Sequence, residues 1–198
     1  MRTLSIGFML FFVVALVVLI NNYNTIQKND ELVTATASEL LNQYQRRSDL
    51  VPNLVNTVKG YSNHESNVLR EVVQARASVG QINVNTDIFS DPEIAATYQK
   101  AQKNLGNSLS RLLVIAENYP ELKASSLYQD LMVQLEGAEN RISVARTRYI
   151  DAVRHYNTQI RQFPYSIIAK YFDYEAKANF SVEDEQQIKI TPIVNFSS

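Results

Sequence analysis

The sequence predicts an all-α protein in which a single N-terminal transmembrane helix continues into an elongated antiparallel helical bundle, followed by a short strand-like C-terminal tail. Three observations favour this fold class. An uncharged apolar run lies near the N-terminus, heptad repeats follow it, and the 198 residues include only 5 Gly and 5 Pro, which leaves few turn signals. We therefore expect an anchor at residues 1–22, a helical bundle at 23–163, and an aromatic and strand-like tail at 164–198.

The first element is a membrane anchor. Residues 4–20 carry no charged or strongly polar side chain, and a helix of this length spans roughly 25 Å, slightly less than a bilayer core. Asn21 and Tyr23 can lie among the lipid headgroups on one side while Arg2 reaches those on the other. A cleaved signal peptide is the alternative, but the first Ala-x-Ala pattern after the run, at residues 35–37, lies far downstream. We expect a retained single-pass anchor with the lipid bilayer as its partner and the bundle on the non-cytoplasmic side.

A heptad pattern continues from the anchor into the next segment. One apolar series is Ile26, Val33, Leu40, Leu54 and Tyr61, and its companion is Tyr23, Ala37, Tyr44, Val51 and Val58. A period of 3.5 residues sustained this far predicts that anchor and bundle share one long helix. Arg47 interrupts the first series, and Asp30 interrupts the second. Pro52 has no backbone N–H, so we expect a kink or a local break near residues 47–51.

Two shorter helices are predicted next. Residues 62–65 fit a capping box and Gly80 a stop, which together bracket a second helix. Its apolar face is Val68, Val72, Ala75 and Val79. Asp91, followed by Pro92 at the first helical position, starts a third helix that residues 119–120 end. The apolar face of that helix is Ile94, Tyr98, Ala101, Leu105, Leu109, Leu112 and Ala116.

A fourth helix, expected at residues 126–162, has the most regular pattern in the chain. Its large row is Leu135, Ile142, Tyr149, Tyr156 and Phe163, and its smaller row is Leu131, Ala138, Ala145 and Ala152. The smaller row lets a neighbouring helix approach closely, which predicts an antiparallel partner. Pro164 ends the helix, and residues 165–172 are expected to form a short aromatic helix.

The last segment of the chain has a different period. Its apolar residues alternate with polar or turn residues, as in a strand, and are Ile188, Ile190, Val194 and Phe196. Pro192 confines such a strand to a sheet edge, and the chain has no second strand-like segment. The segment can pack on helices, remain disordered, or pair with the same segment of another copy. We predict the last, an interaction site between copies.

Composition and motifs argue against catalysis, cofactors and nucleic acid. A net charge of -1 lacks the basic excess that binding to a phosphate backbone requires. Cysteine is absent, and His64 and His155 lack the spacing of zinc or di-iron motifs. No Gly-x-Ser-x-Gly, Ser-x-x-Lys or Gly-rich phosphate loop occurs. We expect no enzymatic activity, metal or cofactor, and interpret charges on the fourth helix as ion pairs such as Asp151 with Arg148 or Arg154.

A second candidate interaction site lies around the first proline. It comprises Arg46, Arg47, Asp49 and Pro52. The heptad pattern places these charges on and beside the interior seam, where charges need partners. An exposed polar face is one interpretation. The other is that Arg47 pairs with a carboxylate of the fourth helix, such as Glu139, and closes the bundle.

Residues 45–61, QRRSDLVPNLVNTVKGY, followed by His64 and Glu65, resemble the signature of the LemA family. Later segments agree with that family in the same order, namely 74–77, 109–113, 116–117, 119–123, 139–142, 145–146, 149–157, 163–164 and 192–196. The chain departs from the family at Ile150, where members often carry Asn, and at Ser62, where they often carry Ala. The resemblance implies a bacterial single-pass protein of the cytoplasmic membrane, with a helical soluble domain and no established enzymatic activity.

The resemblance also supplies two hypotheses of function. One relative is tied to building magnetosome membranes, which implies by analogy a homo-oligomeric scaffold that organises the membrane. Genomic association of the family with a membrane metalloprotease implies instead an adaptor in membrane-protein quality control. We expect the scaffold, because two long heptad-patterned helices and a strand-like tail offer more association surface than one bundle needs.

Overall fold

The computed structural model describes residues 2–61, 65–82 and 91–180, and every regular element in these ranges is a helix. The helices are α1 (Arg2–Lys59), α2 (Ser66–Gly80), α3 (Pro92–Ala116), α4 (Pro120–Lys123), α5 (Ser126–Gln159) and α6 (Tyr165–Tyr171). The predicted all-α fold with a long apolar N-terminal helix is therefore confirmed. Residues 188–196, where a strand is predicted, lie outside the described ranges.

Helix α1 joins the apolar segment to the bundle. Side chains from Ile6 to Asn21 are exposed, apart from the half-buried Ala15, and burial begins at Asn22 and Tyr23. The apolar part is long enough to cross a membrane. Both parts lie on one helix of 58 residues, which confirms the single rod expected from the heptad pattern.

Of the kink or local break expected near Pro52, the break is wrong, because α1 is continuous through residues 47–51, and the kink stays a prediction. Proline at this position cannot donate to the carbonyl four residues earlier, that of Ser48. The side chain of Arg76 on α2 supplies a donor instead, since its Nε lies 3.1 Å from the Ser48 oxygen. Packing of α2 against α1 thus satisfies the acceptor that the proline leaves without an intrahelical partner.

Helices α1 and α5 form an antiparallel pair along the length of the bundle, as predicted. Their polar side-chain contacts are Arg47 to Glu139, Glu39 to Arg148, and Asn29 to Gln159. Residue numbers thus fall on one helix as they rise on the other. The smaller row of α5 is buried at Leu131, Ala138, Ala145 and Ala152. Helix α5 ends at Gln159 rather than at residue 162, because Pro164 disfavours helical geometry just before it, and Phe163 is exposed.

Helices α2 and α3 pack against each other and cover the distal half of α1, the half farther from the apolar segment. Two contacts fix the direction of α3, namely Tyr98 with Tyr44 and Gln102 with Arg47. Residue numbers rise together on α1 and α3, so these helices run in the same direction. The distal half is therefore a four-helix arrangement in which α3 approaches both members of the α1–α5 pair.

The starts of α2 and α3 test two predicted caps. The Asp91 carboxylate accepts hydrogen bonds from two backbone N–H groups of the first turn of α3, as expected. Helix α2 begins at Ser66, later than predicted, and its N-cap residue Glu65 makes no capping bond. The Glu65 carboxylate instead accepts a hydrogen bond from the Tyr119 hydroxyl, and residues 62–64 of the predicted capping box lie outside the described ranges.

On α3, Ile94 is exposed and Ala95 is buried instead. Ala95 lies on the same face as the buried Tyr98 and Gln102, three and seven residues later.

Residues 165–180 cover the proximal half of the α1–α5 pair, next to the apolar segment. Helix α6, the short aromatic helix expected from the sequence, packs on α1. Residues 172–180, here called the strap, then follow the seam between α1 and α5 as non-helical chain. The Phe172 ring lies 5.0 Å from that of Tyr23, and the Phe180 ring lies 5.4 Å from that of Tyr149. The strap therefore runs from the apolar segment towards the distal half.

Candidate interaction site

A buried arginine lies at the centre of the distal half. The side chain of Arg47 is 5% exposed, and its Nη1 lies 2.8 Å from Oε1 of Glu139, whose side chain is 46% exposed. Nη2 donates to the backbone oxygen of Gln102 at 2.9 Å and also to its side-chain oxygen. The guanidinium carbon lies 5.5 Å from the centre of the Tyr44 ring. Of the two sequence interpretations, the structure thus contains the ion pair with α5.

Two tyrosines and a glutamine complete the arginine cluster, which comprises Arg47, Tyr44, Tyr98, Gln102 and Glu139. Gln102 Nε2 donates to the Tyr98 hydroxyl at 2.8 Å, and the Tyr98 ring meets the Tyr44 ring edge-on at 5.8 Å between centres. Burial, opposed by that hydrogen bond, raises the pKa of Tyr98 to about 12, so its hydroxyl stays protonated at neutral pH. The cluster joins α1, α3 and α5 through polar contacts in a low-dielectric interior, where hydrogen bonds are stronger than in water.

The other predicted interaction residues lie elsewhere. Arg46, Asp49 and Pro52 are exposed on α1, and Asp49 accepts a hydrogen bond from Gln45 at 2.8 Å. Of the four residues around the proline, Arg47 alone turns inward, since the heptad series that it interrupts faces α5. The predicted tail residues, Ile188, Ile190, Val194 and Phe196, lie outside the described ranges. An interaction role for these residues stays a prediction.

An open groove of about 440 Å³ lies beside the cluster, between α3 and α5. This α3–α5 groove is lined by Gly106, Leu109, Ser110, Leu113, Met132, Leu135, Glu136 and Glu139. Glu139 belongs to both groove and cluster, so an occupant would touch the carboxylate that pairs with Arg47. The groove was not predicted, although Gly106 and Ser110, small residues one turn apart on α3, mark a place that α3 cannot fill. The groove has apolar walls and a rim of carboxylates, which suits binding of another chain segment rather than catalysis.

The strap is held by side chains of α5 that bond to its backbone. Asn157 donates to the carbonyl of Lys177 and accepts from its N–H, each at 2.8 Å. The hydroxyls of Tyr156 and Tyr149 donate to two further strap carbonyls at 3.2 and 3.0 Å. Lys177 also forms an ion pair with Asp30 of α1. Because extended chain cannot satisfy its own backbone groups, these side chains take the role of a sheet partner.

The two tyrosines beneath the strap are shielded from water. Burial raises the pKa of Tyr149 above its ordinary value and raises the pKa of Tyr156 to about 12. Both hydroxyls therefore remain protonated donors at neutral pH. This role was not predicted, because the sequence pattern treated both residues simply as members of the large row of α5.

Other titratable groups lie on the surface of α5. Asp151 pairs with Arg154 at 2.9 Å, one of the ion pairs expected from their spacing. His155 is exposed, and His64 lies outside the described ranges. Across the part of the chain that the structure describes, no group of three or more His, Cys, Asp or Glu side chains could hold a metal ion.

Comparison with known proteins gives a consistent result. The model of the LemA family matches residues 36–196. The magnetosome protein MamQ 2 of Paramagnetospirillum magneticum is 27% identical over an alignment of 167 positions that covers 76% of this chain and 61% of that protein. MamQ of Magnetospirillum gryphiswaldense is 26% identical with the same coverage.

A further relative, Protein LemA of Metamycoplasma hominis, is 21% identical over 187 residues, covering 92% of this chain and 81% of the relative. The chain thus spans most of this relative but only 61% of the length of the magnetosome proteins that it matches. The names of these relatives state no enzymatic reaction.

Proposed function

Since the chain belongs to the LemA family, we propose that it is a non-enzymatic, homo-oligomeric scaffold, anchored in the bacterial inner membrane and organising it. The exposed apolar part of α1 supports the anchor, because such a surface is stable in lipid and costly in water. The bundle lies on the periplasmic side in this proposal. The magnetosome proteins support an organising role only by analogy, because the match covers 61% of their length.

The open α3–α5 groove is the observation that carries the proposal. Its walls include Leu109, Leu113 and Leu135, which suit an apolar chain segment. Such a segment exists in this chain, with the apolar residues Ile188, Ile190, Val194 and Phe196. Because burial of one large apolar side chain contributes about 1.5–3 kcal/mol, a tail seated in the groove of a second copy would stabilise association.

The tail starts at a height from which it reaches the groove. The strap ends at Phe180, whose ring lies 5.6 Å from the guanidinium of Arg146. About 10 Å of helix α5 separates Arg146 from Glu139 at the groove. Residues 181–198 span up to roughly 60 Å when extended, and a pair of packed helices is only about 20 Å wide. The tail of one copy can therefore reach the groove of its neighbour.

Membrane anchoring favours the neighbouring copy as the owner of that groove. Anchors confine all copies to one plane with one orientation, so their grooves lie at the same height and their local concentration is high. A contact from the tail of each copy to the groove of the next is head-to-tail, and it closes into a ring where the rotation permits. Occupancy of the groove by the copy's own tail is the competing arrangement.

Cysteine crosslinking distinguishes these arrangements, and the chain has no native cysteine to interfere. One population carries Ser110→Cys in the groove, and a second, with a different affinity tag, carries Phe196→Cys in the tail. When both are expressed in the same membrane and oxidised, we expect a disulfide-linked heterodimer. The matched control is Asn104→Cys, which is exposed on α3 and does not line the groove.

The control pair should yield little heterodimer. A disulfide that forms only within a single chain carrying both Ser110→Cys and Phe196→Cys would overturn assembly through the tail. Equal crosslinking from Ser110→Cys and Asn104→Cys would mean chance collisions in the membrane and would count against a specific seat in the groove.

An adaptor of a membrane metalloprotease is the second candidate function. The carboxylate rim formed by Glu136 and Glu139 favours it, because the groove would then accept an apolar segment with a basic residue from another protein. In the crosslinking experiment, Ser110→Cys would join a protease or its substrate in place of a second copy. That product would support the adaptor function and count against the scaffold function.

A further inference from the structure

Large apolar side chains are exposed at the end of the bundle next to the anchor. This aromatic patch consists of Phe163, Ile167, Tyr171 and Phe172, which are 81%, 61%, 81% and 51% exposed. Helix α6 carries two of them, Ile167 and Tyr171, one turn apart on its outer side. Its inner side buries Ile168 and Ala169, so the short helix is apolar on both sides while the bundle covers only one.

The height of the patch is fixed by its contact with α1. The Phe172 ring lies 5.0 Å from the Tyr23 ring, and Tyr23 follows Ile20, the last residue of the apolar run, by about 4.5 Å along the helix. The polar zone of each leaflet is roughly 5–7 Å deep. If α1 spans the bilayer as in the proposed function, the patch lies at the level of the lipid headgroups.

The chemistry of the patch matches that level. Phenylalanine and tyrosine rings favour the boundary between hydrocarbon and water. The exposed cations Arg161 and Lys170 flank the rings and suit lipid phosphates. The Tyr171 and Phe172 rings lie 5.0 Å apart, and exposed apolar surface of this kind marks an interaction site. Beside a membrane span, the partner nearest to such a surface is lipid.

We propose that the aromatic patch inserts into the headgroup layer of the leaflet from which α1 emerges. This inference rests on the membrane span of the proposed function, but not on oligomerisation or the groove. The bundle then contacts the bilayer at two places, through α1 and through α6. Because α6 is packed on α1, insertion of the patch fixes the tilt and rotation of the rod relative to the membrane.

Tryptophan fluorescence tests the insertion, since the chain contains no native tryptophan. The full chain with Tyr171→Trp is reconstituted in vesicles of phosphatidylglycerol and phosphatidylcholine, with or without bromine on the part of the phosphatidylcholine chains nearest the headgroups, where an inserted patch would touch it. Two matched variants carry Val14→Trp within the apolar run and Val133→Trp on the distal half of α5. Val133 is 71% exposed and lies roughly 45 Å beyond Tyr23 along the rod.

We expect brominated lipid to reduce the emission of the Tyr171→Trp variant to about half or less, as for Val14→Trp, and to leave Val133→Trp unchanged. Quenching of Val14→Trp without quenching of Tyr171→Trp would overturn the insertion and leave the anchor standing. A blue-shifted but unquenched Tyr171→Trp emission would mean that protein, such as a second copy, covers the patch, which also overturns it.

Failure of the anchor gives a different pattern. If Val14→Trp is unquenched, α1 does not span the bilayer and the proposed function fails. Quenching of Tyr171→Trp in that case would still support contact of the patch with lipid, whereas its absence would overturn both inferences. Unchanged circular dichroism of each variant shows that the substitution at an exposed position leaves the fold intact.

Discussion

The distal and proximal halves of the α1–α5 pair are covered in different ways. In the distal half the cover is the helix pair α2 and α3, and in the proximal half it is α6 and the strap. A helix satisfies its own backbone, so α3 needs only complementary side chains from its neighbours. The strap cannot do so, and α5 must supply polar groups at Tyr149, Tyr156 and Asn157. The type of cover therefore dictates which side chains the shared helix carries.

The largest effect should come from breaking the arginine cluster of the distal half. Arg47→Ala removes the ion pair to Glu139 and leaves the Gln102 oxygens without their donor. Because Arg47 is buried and Glu139 is half-exposed, we expect the bonds to Gln102 to dominate the loss, which should be about 1.5–3 kcal/mol in the free energy of unfolding. This corresponds to a fall in Tm of roughly 3–12 °C for a chain of this size. Thermal melts in detergent measure it.

The matched control for this substitution is Arg46→Ala, at the exposed neighbouring position. Its effect should stay within about 0.5 kcal/mol. An unchanged Tm for Arg47→Ala would reject a stabilising role of the arginine cluster and would mean that the distal half depends on apolar contacts alone, like the rest of the core.

Loosening the cover of the proximal half should have a smaller and more local effect. Asn157→Ala removes both hydrogen bonds to the backbone of Lys177, for a loss of about 1–2 kcal/mol. Trypsin should then cleave after Lys177 faster than in the unaltered chain, because the strap leaves the seam more often. Thr158→Ala, at the exposed neighbouring position, should leave the cleavage rate unchanged, and equal rates for the two variants would argue against this anchoring.

Alkaline pH should weaken the distal half through Tyr98. Its pKa is raised by burial to about 12, whereas an unfolded chain releases this proton near pH 10. The folded state holds the proton between these values, so this contribution to stability is complete below pH 10 and is lost as the pH rises towards 12. At pH 11 the loss is about 1 kcal/mol.

Urea unfolding at pH 9 and pH 11 measures this effect against Tyr98→Phe, which has no proton to release. The difference in unfolding free energy between the two pH values should be about 1 kcal/mol smaller in the variant. An identical difference in both proteins would show that Tyr98 ionises equally easily in the folded and unfolded states.

The smallest effect concerns the contact between Arg76 and the carbonyl of Ser48. Arg76→Ala should cost about 1 kcal/mol, because that acceptor then has no protein donor. In a Pro52→Ala background the restored N–H bonds to the same carbonyl, so Arg76→Ala should cost much less. Urea unfolding of the four proteins gives the coupling energy. Additive losses would show that Arg76 and Pro52 act independently and would contradict the shared role of the Ser48 carbonyl. The control, Arg70→Ala at an exposed position of α2, should be neutral in both backgrounds.

The sequence predicted the long helices and, from caps and apolar faces, the helices α2, α3 and α6, but neither the strap nor where the covering helices pack. Heptad spacing depends on which side chains one helix presents to another, so the two long helices and an antiparallel partner for α5 were predicted, whereas the identity of that partner, α1, comes from the structure. The strap has no period, and its bonds are made by its backbone rather than by a repeated side chain. Its trace in the sequence is the change in the large row of α5 from Leu135 and Ile142 to Tyr149 and Tyr156.

The groove and the unbroken α1 depend on contacts between distant residues. Gly106 and Ser110 show that α3 is narrow there, but whether a neighbour fills the space depends on the distance to α5. Likewise, Pro52 predicts a missing donor, and its replacement by Arg76 depends on how α2 returns along α1. The pattern of one helix contains neither the distance between α3 and α5 nor the path of α2 along α1.

Continuity of α1 gives the protein a mechanical property. From Tyr23 to Lys59 the helix extends about 54 Å beyond the apolar segment, and the donor from Arg76 replaces the hydrogen bond that the proline removes. A rigid lever of that length converts a tilt of about 10° at its base into a sideways sweep of roughly 9 Å at its tip. In the proposed assembly the anchor and the aromatic patch set the tilt of this lever, so a small change at either contact with the membrane would move the far ends of neighbouring rods apart or together.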